Sequence, residues 1–282
     1  MNPEPLNLGT NISSMLTMPT NVSSIWRRVP TDLVSRLDRC LQEACSHLSP
    51  KKAGYVFFRA DDVAVPGHNL ARLLSIFEQR RSPLCLAVVP AWFTSQRWDC
   101  LKGVHANAAP LWCWHQHGWR HVNHAQEGKR QEFGPDRQRF KIRKDLLRGR
   151  SRLEEILGKA FVPVFTPPWN RCASQTLYLL KELNFAAVSR SLGSAPEPPE
   201  GLPDFFVNVD LHTRDEHGAI AGWNGLFSEL KRAIASGHCG IMIHHQRMNS
   251  AAFEFLELLL RALLQRKELH LVHFGHLVQP DL

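Results

Sequence analysis

The chain has 282 residues, of which 44% are hydrophobic and 21% charged, with a formal net charge of +8. That length can bury a full core in one domain, and the composition excludes collagen-like, coiled-coil and wholly disordered architectures. The basic residues are scattered except between Lys141 and Arg152, where the solvated face of a helix accounts for them, so no nucleic-acid partner is expected.

Residues 1–30 are rich in Asn, Ser, Thr and Pro and read as a flexible tail. They show no basic start followed by an apolar stretch, so no secretory leader is expected, and the sequons at Asn11 and Asn21 read as chance. A helix is predicted over 31–46, followed by strands at 54–58, 84–89, 111–115, 162–166, 185–189, 205–209, 240–244 and 269–274. Most of these runs are apolar along their length rather than alternating, as parallel strands buried on both faces are. Helical patterns lie between them at 69–79, 144–157, 174–183, 226–235 and 251–266; the last carries Phe253, Leu256, Leu260, Leu263 and Leu264 on one face. Strand–helix alternation of this kind implies a parallel sheet with helices outside. No glycine-rich nucleotide loop follows the first strand, which favours a barrel over a nucleotide-binding sheet. Open doubly wound and closed barrel forms both fit the count, and the expectation is one domain over residues 31–282 with a barrel favoured. No apolar run approaches the roughly 20 residues of a membrane span. Seven cysteines without a C-x-x-C pair fit a reducing compartment, and a cytoplasmic protein is expected.

Residues able to do chemistry gather where the strand runs end. Asp61 and Asp62 follow the first run, His115, His117 and His121 the third, Pro167 to Arg171 the fourth, and His244 with His245 close the seventh. In a parallel barrel those ends converge on one mouth. Adjacent carboxylates repel, and a cation would relieve the repulsion, one carboxylate coordinating it while the other moves a proton. His117 and His121 have i, i+4 spacing, which on a helical turn puts both imidazoles on one side to chelate a transition metal. An Asp/His/His set leaves coordination positions open, as catalysis requires. The Pro167–Pro168 turn is followed by Trp169, Asn170 and Arg171, a ring to stack on a sugar and polar groups to bind an acyl oxygen. His244 and His245 offer an acid/base histidine.

From Tyr55 to His245 this pattern resembles the polysaccharide deacetylase family with NodB homology, the family 4 carbohydrate esterases, in the same motif order. Arg59-Ala-Asp61-Asp62 is similar to the family's T-F-D-D, which implies Asp61 as base and Asp62 as metal ligand. His117-Gly-Trp-Arg-His121 resembles H-[ST]-x-x-H, implying two further ligands. Phe165-Thr-Pro-Pro-Trp169 is similar to R-P-P-[YW], which implies the Trp169 main-chain N–H in an oxyanion hole, and Met242-Ile-His244 to L-x-H, which implies His244 as the acid. Thr166 stands where many members carry an arginine that orients the base; Arg171, Arg59 and Arg190 are the candidates to replace it. Asp210 and Trp223 are the nearest fragments of a D-x-x-D-W motif.

The resemblance implies a distorted (β/α) barrel of about seven parallel strands, and a hydrolase removing an acetyl group from an N-acetylated sugar or related small molecule. Asp62, His117 and His121 would hold a divalent metal, zinc by preference and cobalt or nickel as alternatives. Asp61, His244 and Trp169 carry the catalytic expectations, with His245 as the other candidate acid; Asn170, Arg171 and His245 carry the substrate-binding ones. The competing expectations are a sugar-binding barrel with little turnover and the same metal chemistry on a small non-sugar amide.

Overall fold

The computed structural model describes residues 22–49, 53–104 and 106–278. Residues 1–21 of the expected tail lie outside them. Of the remaining residues of that segment, Ser23, Ile25 and Trp26 are buried, while Arg27, Arg28 and Val29 are exposed. Ser24–Arg27 form a 3-10 turn with Ile25 and Trp26 buried. The Trp26 indole N–H donates to Leu211 O at 2.9 Å, and its ring meets those of Trp223 and Phe255 at 5.3 Å each. Burying two large apolar side chains outweighs the entropy of ordering a short polar segment.

The elements alternate as the periodicity predicts: α1 (Leu33–Cys45), β1 (Gly54–Val63), α2 (His68–Gln79), β2 (Leu84–Val88), α3 (Ser95–Val104), β3 (Trp112–His117), α4 (Arg139–Leu157) and β4 (Phe161–Thr166). There follow α5 (Ser174–Glu182), β5 (Ala187–Val188), β6 (Val209–Asp210), α6 (Ala219–Ala235), β7 (His238–Ile243), α7 (Ser250–Leu264), β8 (Leu269–Leu271) and α8 (Phe274–Val278). Helix α3 was not expected, because Ser95–Val104 has no apolar stripe and buries little beyond Leu101. On α4, Ile142, Leu146 and Leu153 are buried, while Lys141, Arg143, Lys144 and Arg148 are exposed.

All pairings are parallel, in the order β5-β4-β3-β2-β1-β7-β6, with β8 also on β1. The sheet curls into a distorted (β/α) barrel. Among the described residues its two edges meet through isolated bridges, Val188 with Asp204 and Ser191 with Val207, and loop hydrogen bonds beside them. Among the described residues no helix is long and apolar enough to cross a membrane.

Period-two alternation divides the strands between two surroundings. Phe58 and Ala60 of β1, Leu86 and Val88 of β2, and Ile241 and Ile243 of β7 pack under the helices in the main core. Phe57, Cys85, Cys113, Val164 and Met242 face the interior of the curl, around Phe274 of α8. Continuing the interior parity upward from these residues gives Arg59 and Asp61 on β1, His115 and His117 on β3, Thr166 on β4, and His244 just past β7. The fold thus delivers these polar residues to the carboxyl end of the curl.

Candidate active site

Asp61 and Asp62 lie inside β1 rather than after it. Arg59 pairs with Cys85 and Ala60 with Leu86, but the next partners are Val63 and Val88, so the ladder slips by one residue across the acids. In a regular strand the two side chains would point to opposite faces. The bulge, with Asp62 at φ 59°, turns both carboxylates into one cavity of about 740 Å³.

Asp61 is buried and held by Arg59, whose Nε donates to Oδ1 and Nη2 to Oδ2, each at 2.8 Å. Arg59 Nη1 donates to Ser189 Oγ at 2.8 Å, and Nη2 also to Asn170 Oδ1 at 2.7 Å. Arg59 is therefore the arginine beside the candidate base, while Arg190 pairs with Asp204 and Arg171 lines the cavity. Burial would raise the Asp61 pKa, but the Arg59 charge outweighs it, aided by His117 and His244, and holds the carboxyl below its ordinary value. Thr166, which stands where many members of the resembled family carry an arginine, meets His115 Nε2 through Oγ1 at 2.9 Å. Burial, reinforced by the nearby Arg59 charge, pushes His115 down to about 3, so its imidazole is neutral.

Asp62, His117 and His121 converge. His117 Nε2 and His121 Nε2 lie 3.3 and 3.2 Å from Asp62 Oδ1, and one ligand atom from each residue falls within 4.8 Å of the others. Asp62 Oδ1 is buried and has no hydrogen-bond partner. His117 Nδ1 lies 3.0 Å from Thr166 O; carrying the proton there leaves the Nε2 lone pair aimed at the cluster. One oxygen and two nitrogens around an orphaned carboxylate oxygen suit a divalent transition metal.

The two histidines do not share a helical turn, which corrects the expectation from their spacing. His117 ends β3, and the chain turns through Gly118 at φ 60° to His121 at φ 59°. The buried Glu132 carboxylate gathers this turn. Oε1 accepts the Arg120 N–H at 2.7 Å, and Oε2 accepts those of Trp119 and His121 at 3.2 and 3.1 Å. The His121 ring packs against Trp169, with centroids 4.4 Å apart.

Pro168–Asn170 form a short 3-10 turn in which Trp169 and Asn170 have φ of 56° and 58°. With Asp62 and His121 they make four of the six described non-glycine residues at positive φ, and all four line the cavity. Such backbone persists only where surroundings over-determine it, commonly at functional sites. Arg171 and His244 line the same cavity. His244 Nδ1 has no hydrogen-bond partner, and its main-chain N–H donates to His212 Nδ1 at 3.2 Å. His245 is buried, is not among the cavity-lining residues, and is pushed down to about 4 by burial.

Glu132, the second support of the site after Arg59, leaves no signal in the sequence: it is one acid in a polar loop. Asp210 lines the cavity and caps its own turn, accepting the N–H groups of His212 and Thr213 at 2.9 Å each. Trp223, the other motif fragment, is buried in the core against Trp26.

No protein-family model matches the chain, and no curated protein matches it. Its structure is similar to that of a Mycobacterium smegmatis protein assigned as a polysaccharide deacetylase, with TM-score 0.60, 18% identity, and coverage of 83% of this chain and 92% of that one. It is similar to a family 4 acetyl xylan esterase of Clostridium thermocellum in complex with cobalt, with TM-score 0.51, 12% identity, and coverage of 80% and 90%. A Streptococcus mutans family 4 carbohydrate esterase gives TM-score 0.52, 13% identity, and coverage of 79% and 85%. The chain shares the fold of these deacetylases and esterases.

Proposed function

We propose that this protein is a metal-dependent hydrolase that removes the acetyl group from an N-acetylated carbohydrate. One observation carries the reading: an Asp/His/His set, an arginine-held carboxylate and a histidine all meet in one cavity. Asp62, His117 and His121 would hold the ion, with zinc preferred and cobalt or nickel able to substitute. A bound divalent ion would polarise the acyl carbonyl and acidify water.

Asp61 accepts a proton from the attacking water. Arg59 keeps Asp61 ionised and fixes both its oxygens. The Trp169 main-chain N–H donates to the developing oxyanion, a contact whose loss typically costs about 3 kcal/mol. His244 then protonates the departing amine nitrogen, and its position at the cavity supports it over buried His245. The water oxygen ends on acetate, so no acyl-enzyme forms. Asn170 and Arg171 bind the sugar, and the Trp169 ring offers it a stacking face.

The competing idea of a sugar-binding barrel without turnover was motivated by Thr166. The Arg59–Asp61 pair removes that motive. All seven cysteines are unpaired, which supports a reducing, cytoplasmic setting.

The test is acetate release by zinc-loaded protein from N-acetylglucosamine oligomers and, in parallel, from N-acetylated amino acids. Acetate and free amine are expected in equal amounts from the sugars. Release only from the amino acids would overturn the sugar assignment, and release from neither class would overturn the hydrolase.

A further inference from the structure

The cavity holds more positive charge than binding a neutral sugar would use. Its lining includes three carboxylates, Asp61, Asp62 and Asp210, and three guanidinium groups, Arg130, Arg171 and Arg247. Two of the carboxylates are already engaged, Asp61 by Arg59 and Asp210 by the N–H groups of His212 and Thr213 and the Thr213 hydroxyl, and Asp62 is the one that would share the ion with the two histidines. The three arginines are not engaged in this way. Among the described residues none of their side chains meets a carboxylate. Several other arginines that leave the solvent do meet carboxylates: Arg190 with Asp204, Arg137 with Asp145, and Arg214 with Glu216 and Glu229.

The unmatched arginines come from separate segments. Arg130 lies between β3 and α4, Arg171 follows the Pro168–Asn170 turn, and Arg247 ends a 3-10 turn after β7. Beside the main cavity a recess of about 300 Å³ shares Trp169, Asn170, Arg171 and Ser191 with it and adds Lys129. Three cations brought to one cavity from separate segments repel each other unless an anion sits between them. Guanidinium forks match the oxygens of phosphate and carboxylate two at a time, which a neutral sugar cannot offer.

We infer that the substrate is an acylated sugar carrying an anionic group, phosphate or carboxylate, seated by Arg171 and Arg247 within the reach of Arg130. The inference rests on the deacetylase reading for the sugar, but its anion site can be tested without turnover.

Binding of the amine products is measured by calorimetry at fixed ionic strength: glucosamine, glucosamine 1-phosphate, glucosamine 6-phosphate and muramic acid. At least one anionic amino sugar is expected to bind about tenfold or more tightly than glucosamine, as charge-assisted hydrogen bonds allow. The preference is expected to persist in metal-free protein, which separates the arginines from direct ligation of an ion. Arg171→Gln and Arg247→Gln should each reduce it several-fold, whereas Arg143→Gln, an equal charge change on the exposed face of α4, should leave it intact. Tighter binding of the phosphorylated sugars assigns a phosphate; tighter binding of muramic acid assigns a carboxylate. Equal affinity for neutral and anionic sugars, or a preference lost equally in Arg143→Gln, overturns the inference. Acetate release from neutral N-acetylglucosamine with no anion preference would leave the deacetylase reading standing alone. Arginine-dependent anion binding with no acetate from any acetylated counterpart would do the reverse.

Discussion

Arg59 and Asp61, two residues apart on one strand, meet through a two-point guanidinium–carboxylate pair with both contacts at 2.8 Å. Period-two geometry makes the pair possible, because residues i and i+2 share a face. The base candidate therefore receives its counter-charge from its own strand rather than from the turn after β4. Both partners are buried, so neither can fall back on water.

Removing Arg59 strands a buried carboxylate. Arg59→Leu is expected to lower the unfolding free energy by about 3–5 kcal/mol, read from urea transitions. Asp61→Asn is expected to keep its metal while losing at least about a hundredfold in kcat. Metal lost in proportion to activity in that variant would reject the separation of base from ligand.

Metal content tests the ligand set, and pH tests its electrostatics. His117→Ala and His121→Ala should each lose stoichiometric metal; an ion retained in full by both would remove the site. Burial opposes protonation of His117, but the Asp62 hydrogen bond and the charges of Asp61 and Asp62 outweigh it and raise its pKa above the ordinary 6.5. In metal-free protein, charged His117 thus contributes stability that is complete below about 6.5 and is lost as pH rises through the raised folded value. Metal binding runs the other way, since the proton must leave first, so affinity falls as pH drops through that value. Melting curves with and without zinc across neutral pH should show these opposite slopes, and parallel slopes would contradict the assignment.

Glu132 reaches the candidate metal site only through the turn it gathers. Glu132→Gln replaces one accepting oxygen with an N–H₂ group facing main-chain donors. Metal affinity is expected to fall about 10–100-fold, the scale of outer-shell supports. Unchanged affinity from a cobalt titration followed by its visible absorption would show that the turn holds its shape without the carboxylate.

Gly118 has no space for a methyl group. A Cβ there would lie 2.3 Å from Glu132 Oε2 and 2.6 Å from Pro168 Cγ, on backbone at φ 60°. Gly118→Ala is expected to cost more than the roughly 1–3 kcal/mol of a strained residue alone, because the clash adds to it, and to weaken metal binding. A thermal transition within experimental error of the parent would refute this.

The strands were legible wherever burial on both faces left a continuous apolar run, as at Leu84–Val88. β5 and β6 are shorter than their runs, since their neighbours 204–207 and 188–192 meet through isolated bridges and loop hydrogen bonds instead of a ladder. The ligand residues were legible as residue types at strand ends, but the path between His117 and His121 was not. A four-residue spacing is shared by a helical turn and by a left-handed loop tied to Glu132. The burial of Trp26 was not legible, because a polar segment's composition does not register two side chains that find a pocket in the core.

The bulge in β1 places base and ligand in the middle of the sheet, flanked by β2 and β7. Amide hydrogens there are expected to exchange only when the whole domain opens, and those of the turns carrying Arg130, Arg171 and Arg247 by local opening. Inheritance can therefore act on the two separately. Drift in the turns would alter what the cavity accepts, while any insertion or deletion that resets the β1 register would dismantle the proposed reaction centre itself.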